Sequence, residues 1–233
     1  MPSKNGILIV GVCGGMGRSI ARKFLDNGFV VYGVDISNSL PEDIQKSNSF
    51  FYQTLDVTNF SDVSNFFQQS NREDFQCIVN CAGILKLKNS EKTDRDDWKS
   101  TIDVNLTGSF HVAKFGTQYF RDKSIKGTII LIGSRWGSSG TEKDCSYASS
   151  KAGLMGLVKS LQKENFSTGI RCMLVSPGSV LTDMSRSVDN AVEENILQTD
   201  DIAELILYIS KTSPNVIFDE ISIKAFPYDY INL

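Results

Sequence analysis

Tyr147 and Lys151 stand one helical turn apart in the run CSYASSKAG, residues 145–153. Residues at i and i+4 share a helix face, so a phenol and an ammonium point into one pocket. A cation beside a phenol favours the phenolate, which makes Tyr147 a usable proton donor and acceptor. A solvated helix with a chance Tyr and Lys has the same spacing, so the rest of the chain decides. A second set of residues stands near the start, where VGVCGGMGRSIA carries Gly11, Gly15 and Gly17 as G-x-x-x-G-x-G. Glycines there permit a tight turn and let the backbone approach a pyrophosphate. The helix that follows, beginning around Met16, supplies amide donors and a favourable dipole. Asp35 follows 18 residues after Gly17, at the end of the next apolar run. A carboxylate there accepts hydrogen bonds from both hydroxyls of an adenosine ribose and repels a 2′-phosphate. No Arg or Lys flanks it in GVDISNS, and position 14 is glycine. These residues favour NAD, with NADP less favoured.

These sets need a scaffold, and the hydropathy pattern describes one. Apolar runs at ILIV, FVVYGVD, SFFYQTLDV, FQCIVNCAG, KGTIILIGS, IRCMLVSPG and VIFDEISI alternate with helical spacing. The helices run through RSIARKFLDNG, PEDIQKS, FSDVSNFFQQS, WKSTIDVNLTGSFHVAKFGTQYFRDK, SYASSKAGLMGLVKSLQKENF and TDDIAELILYISK. Seven strands alternating with helices predict an α/β, doubly wound, mostly parallel sheet flanked by helices. Their apolar runs lack strict alternation, as strands buried on both faces do. No linker, repeat or low-complexity tract interrupts residues 1–233, which predicts one domain. The 233 residues are 41% hydrophobic, with net charge −3 and no basic run, which argues against nucleic acid. No apolar stretch approaches the roughly 20 residues that span a bilayer, and the first residues lack a signal peptide's long apolar region. Five scattered cysteines without a Cys-x-x-Cys pair fit reduced thiols in a cytoplasmic protein, with no metal site. The one histidine, His111, leaves a Ser-His-Asp triad poorly supported and is expected to be structural.

With the glycine loop, Asp35 and the Tyr/Lys pair in register, the chain resembles a single-domain short-chain dehydrogenase/reductase, from residue 6 to about 225. LDVTN matches the family's Asp-Val after strand three, so Asp56 and Val57 would sit by the adenine. NCAG matches its Asn-Asn-Ala-Gly, so Asn80, Ala82 and Gly83 would line the cofactor. VSPGSVLTDM matches Pro-Gly-x-Val-x-Thr, so Pro177, Gly178, Val180 and Thr182 would hold the nicotinamide end. VNLTGSF supplies Asn105, and LIGSRWG supplies Ser134, 13 residues before Tyr147. The resemblance implies a Rossmann fold and hydride transfer between NAD(H) and a secondary alcohol or ketone. Tyr147 would be the acid/base, Ser134 would orient the substrate oxygen, and Lys151 would bind the nicotinamide ribose and, with the cofactor's positive ring, depress the phenol's pKa. Asn105 would distort its helix and hold a water in a proton relay.

Val10, Cys13 and Gly14 depart from the family's usual residues in the loop, which implies a modest cofactor affinity, and Cys81 replaces the second Asn of its motif, which implies altered packing more than altered chemistry. The segment around 184–198 is short for a substrate cover, and the Asp-Gly-Gly ending of many relatives is absent. Leu85, Arg135, Trp136, Glu142, Met184 and Arg186 are expected to face a small-molecule substrate. Arg135 and Arg186 either clamp an anion or are solvated surface residues. A non-catalytic NAD-binding regulator and a sugar-nucleotide-modifying enzyme are the competing readings. An intact Asn105, Ser134, Tyr147 and Lys151 set argues against the first. The second usually needs a separate substrate domain, for which few residues follow Pro177. The resemblance also implies a homodimer or homotetramer, pairing the helices around 98–122 and 146–166. Ala113, Gly116, Ala152 and Gly156 would either allow that approach or face the protein's own sheet.

Overall fold

The computed structural model describes residues 6–69, 74–186 and 196–226. Seven strands form one sheet: β1 (Gly6–Val10), β2 (Val30–Asp35), β3 (Phe50–Thr54), β4 (Phe75–Asn80), β5 (Thr128–Ile132), β6 (Arg171–Pro177) and β7 (Glu220–Ile223). Their order is β3-β2-β1-β4-β5-β6-β7, and every neighbouring pair is parallel. The doubly wound expectation holds, and no antiparallel pair occurs among the described strands. The order reverses direction between β1 and β4, which opens a crevice at their carboxyl ends.

The helices are α1 (Gly15–Asp26), α2 (Glu42–Gln45), α3 (Phe60–Gln68), α4 (Arg95–Ile102), α5 (Gly108–Asp122), α6 (Trp136–Ser139), α7 (Cys145–Glu164), α8 (Asp183–Arg186) and α9 (Thr199–Ser210). The buried strand residues divide between two cores, because successive side chains alternate across the sheet. Leu8, Val10, Ile129 and Leu174 pack with Phe66, Val112, Phe120, Leu154 and Val158 from α3, α5 and α7. Ile7, Ile9, Ile130 and Val175 pack with Ile20, Phe24, Ile202 and Ile206 from α1 and α9. The unbroken apolar runs in the sequence therefore divide into two period-two sets, one for each face. The predicted long helix over 98–123 is α4 and α5 joined by a π-helical turn over Asp103–Thr107. Of the small residues weighed for helix pairing, Ala113 and Gly116 face the sheet, and a Cβ at Gly116 would stand 2.5 Å from Ile78 Cδ1. Ala152 and Gly156 face outward. Most of the expected substrate-covering segment, residues 187–195, lies outside the described residues.

Candidate active site

Where β1 ends, Gly11 turns the chain at φ +81°, a conformation that L side chains rarely adopt. The N–H groups of Gly11 and Val12 both donate to Val34 O, at 2.8 and 3.2 Å, tying the turn to β2. A Cβ on Gly11 would stand 2.7 Å from Ala82 N, and one on Gly17 only 2.2 Å from Gly11 O. Both positions exclude any side chain. Gly15 opens α1 beneath Thr182, whose γ-methyl would lie 3.0 Å from a Cβ there. Met16 packs against the α1–α9 core. The first turn of α1 has no side-chain cap and no acidic residue, so its amides and positive dipole end are available to an anion. Uncapped amides above a loop where a Cβ would collide fit the pyrophosphate of a dinucleotide.

At the end of β2, the Asp35 carboxylate accepts from Cys13 N at 2.9 Å and Ser37 N at 3.0 Å. On the next strand end, Asp56 is engaged by Thr58, which donates from both N and Oγ1 at 2.8 Å. Val57 turns its side chain into the core, and its carbonyl accepts from His111 Nδ1 at 2.9 Å. The ring of His111 is also edge-on to Phe60, so this histidine is structural, as expected. Asn80 is buried; its Nδ2 donates to Ser109 Oγ and its Oδ1 accepts from Ala82 N, which shapes the turn at Ala82 and Gly83. On the far side, Pro177 O accepts from Arg135 N at 3.0 Å, and Gly178 N donates to Ile223 O at 2.8 Å. Val180 is buried and bridges to Leu197.

The Asn105, Ser134, Tyr147 and Lys151 side chains come from three elements: the π turn, the end of β5 and α7. Asn105 is fully buried in the π turn. Its Oδ1 accepts from Ile84 N at 2.8 Å, and its Nδ2 donates to Ile84 O and Ser150 Oγ, both at 3.0 Å. The predicted helix distortion is present, and the side chain pins the loop after β4. Ser150 Oγ then donates to Tyr147 O at 2.7 Å, joining Asn105 to the α7 turn that carries the phenol. Ser134 follows β5. Its Oγ accepts from Trp136 N at 3.2 Å, which leaves its own proton for the Tyr147 phenol it contacts. The Trp136 ring stands edge-on to Tyr147, with centroids 6.1 Å apart. Lys151 Nζ donates to Ile132 O at 2.8 Å and lies 5.6 Å from the centre of the Tyr147 ring. Gly83 keeps space open over that ammonium, since a Cβ there would stand 3.5 Å from Nζ.

Burial governs the protonation of both groups. It pulls the Lys151 ammonium down to about 8, with the Cys81 sulfur opposing. Burial pushes the Tyr147 phenol above its ordinary value; the Ser134 hydroxyl pulls it back, and the Asp144 carboxylate pushes it further up. Lys151 by itself is not among the groups that lower this phenol; the expected depression belongs to Lys151 together with the cofactor's positive ring. The Lys151 ammonium is committed to a backbone carbonyl and lies toward the Tyr147 ring, so desolvation outweighs it.

Among the residues expected to face substrate, Leu85, Arg135 and Trp136 are half-buried, and Glu142, Met184 and Arg186 are exposed. Arg186 pairs with Asp183 at 3.3 Å. Three residues of the site escaped the sequence reading. Ser150 was accessible to it, lying three residues after Tyr147 on the same helix face. Asp144 and Tyr52 carry no local signal, since their importance comes from tertiary contacts.

The family model described as short chain dehydrogenase matches residues 5–193. The 2,3-dihydro-2,3-dihydroxybenzoate dehydrogenase of Escherichia coli strain K12 is 30% identical over 199 residues, covering 83% of this chain and 78% of that protein. The 3-oxoacyl-[acyl-carrier-protein] reductase FabG of Salmonella typhimurium is 31% identical over 195 residues, covering 82% and 79%. Among solved structures, one titled "ElxO with NADP Bound" superposes with a TM-score of 0.86 at 24% identity, covering 94% of this chain and 97% of that one. With the match running from the glycine turn through the Tyr147–Lys151 helix to the strand end at Pro177, the chain belongs to the short-chain dehydrogenase/reductase family.

Proposed function

We propose that this protein is an NAD-dependent oxidoreductase interconverting a secondary alcohol and its ketone, with Tyr147 as acid/base. The observation that carries the reading is that Ser134 and Lys151 both lie by the one phenol, Tyr147. Gly11, Gly15, Met16 and Gly17 would hold the dinucleotide's pyrophosphate. Asp35, Asp56, Val57, Asn80, Ala82 and Gly83 would line its adenosine side and middle, and Pro177, Gly178, Val180 and Thr182 its nicotinamide end. When bound, the nicotinamide supplies or accepts the hydride. Ser134 donates to the substrate oxygen and orients it. Tyr147 takes the hydroxyl proton in oxidation and returns it in reduction. Lys151 places a cation beside the phenol, which favours the phenolate as that proton leaves. Asn105 and Ser150 fix the α7 turn, so the phenol's position is set before substrate arrives. One relative is named for reducing a 3-oxo group and another for dehydrogenating a dihydroxy compound, and both reactions suit this geometry.

The choice of NAD rests on Asp35, whose carboxylate would repel a 2′-phosphate. The free thiols of all five cysteines suit the cytoplasm. A homodimer or homotetramer would use the outward faces of α4, α5 and α7, where Trp98 and Phe110 are exposed. The test is reduced-cofactor formation from a panel of secondary alcohols with NAD or NADP. The expected result is activity with NAD that falls by about 10²–10⁴ in Tyr147→Phe. Equal rates in the wild type and Tyr147→Phe would overturn the acid/base assignment. NADH binding without turnover of any substrate would favour the regulatory reading.

A further inference from the structure

Behind the Asp35 carboxylate lies a second layer of contacts. Tyr52 stands on β3, in register with Gly33 of β2. Its hydroxyl donates to Ser37 O and lies 3.3 Å from Asp35 O. Both carbonyls belong to the turn that leaves β2. The same turn supplies Ser37 N–H, one of the two backbone donors on the carboxylate; Cys13 N–H from the glycine loop is the other. The Cys13 thiol touches both the Tyr52 hydroxyl and the Asp35 carboxylate. Phenol, thiol, turn and glycine loop therefore close around a single carboxyl group.

The chemistry of each partner matters. A carboxylate offers about four acceptor sites, and the two backbone donors take one on each oxygen, leaving capacity for two ribose hydroxyls. Those donors come from separate segments, so the carboxylate's direction depends on how the 35–37 turn sits against the glycine loop. Tyr52 bonds to that turn from the neighbouring strand. Burial holds its phenol neutral, pushed up to about 12, so it remains a donor throughout the physiological range.

We propose that Tyr52 is a positioning residue for cofactor choice: by holding the Asp35–Ser37 turn, it aims the Asp35 carboxylate and sets the discrimination between NADH and NADPH. This inference rests on the NAD reading above. A phenol that merely filled space would contribute to stability and leave the choice of cofactor unchanged.

The test is direct titration of NADH and NADPH into the wild type, Tyr52→Phe, Asp35→Ser and the double variant. Tyr52→Phe keeps the ring and removes only the donor. The ratio of the two dissociation constants is independent of the fraction of protein folded, so partial destabilisation does not obscure it. Wild type is expected to prefer NADH. Tyr52→Phe should narrow that preference about fivefold, the equivalent of one net hydrogen bond, mainly through weaker NADH binding. In the Asp35→Ser background the same substitution should leave the ratio unchanged. Preference for NADH in both wild type and Tyr52→Phe, with the same ratio, would overturn this inference and leave the NAD reading standing. An equal weakening of both cofactors, or an equal narrowing with and without Asp35, would also overturn it. A wild type that prefers NADPH would overturn the NAD reading itself, and the inference with it.

Discussion

At the β1–β2 end of the crevice, the fixed positions answer to close approach or to a filled hydrogen bond. Gly11 and Gly17 admit no Cβ, and both oxygens of Asp35 have backbone donors. At the β5–α7 end, the working groups are held against their own preferences. Lys151 is a buried cation pulled down to about 8, Tyr147 a phenol pushed up, and Asp144 a buried carboxylate with no partner on Oδ2 among the described residues. Shape is the requirement at the first end, and a costly electrostatic balance at the second. The same substitution strategy should therefore give opposite outcomes. Removing space from the first end destroys it, and removing a buried charge from the second relieves the fold while shifting the protonation of the phenol.

The largest effect is expected at Gly17. An added methyl would press on backbone, Gly11 O at 2.2 Å and Val12 Cα at 2.9 Å, so the turn itself must move. Gly17→Ala should abolish cofactor binding and cost about 3 kcal/mol of stability. Gly14→Ala is the contrast, because a Cβ there meets only Gly11 O at 3.5 Å. It should bind cofactor within about twofold of wild type, since only ordinary contact is made. Urea melts with a parallel NADH titration would separate the two; equal behaviour of the variants would refute the steric account.

That contrast also explains what was legible in the sequence. A backbone that must approach another backbone accepts one residue type, so the glycine turn and the acid after β2 are written plainly. The parallel, doubly wound sheet followed from the alternation of apolar runs with helical spacing. The start of β7 did not. VIFDEISI reads as a strand from 216, yet Val216 N donates to Ser213 O, and the Arg171 guanidinium takes Val216 O. With both backbone groups satisfied elsewhere, the strand begins at Glu220. The π turn at Asp103–Thr107 was likewise hidden in an unbroken helical pattern, and only the family resemblance pointed to Asn105 as a distortion. The direction of the Tyr147 shift was beyond sequence, because burial is a property of the whole fold.

The second expected effect is electrostatic and appears as a slope. Lys151 moves from an ordinary 10.5 to about 8 on folding. Between those values the unfolded chain binds the proton and the native chain does not, so stability gains from rising pH. The cost of burying the cation is fully present below about 8 and is relieved as pH rises toward the ordinary value, by roughly 3 kcal/mol in all. Lys151→Met lacks that relief, although it also leaves Ile132 O without its donor. The difference in unfolding free energy between wild type and variant, followed from pH 7 to 10, isolates this group from the other titrations. A flat difference across that window would mean that the ammonium is not desolvated.

The smallest effect is expected at Asp144, the one acid among the described residues that acts on Tyr147. It is buried at the start of α7, with Oδ1 accepting from Thr141 N at 3.2 Å, and burial raises its own pKa above the ordinary value. Asp144→Asn keeps an acceptor for Thr141 and removes the charge. Two consequences follow from that one change. An acid whose folded pKa is raised destabilises the native state once pH passes its unfolded value, so the variant should be modestly more stable at neutral pH and no different well below pH 4. The Tyr147 phenol loses a neighbour that disfavoured its phenolate, so its pKa should fall. In the oxidising direction, the pH at which activity reaches half its maximum should then move to lower values, with the plateau rate unchanged. A profile that stays in place while stability rises would mean that the Asp144 charge bears on the stability of the fold and not on the phenol. A shift without added stability would mean that the carboxylate is compensated by the loop it closes, so that its charge acts on the phenol alone.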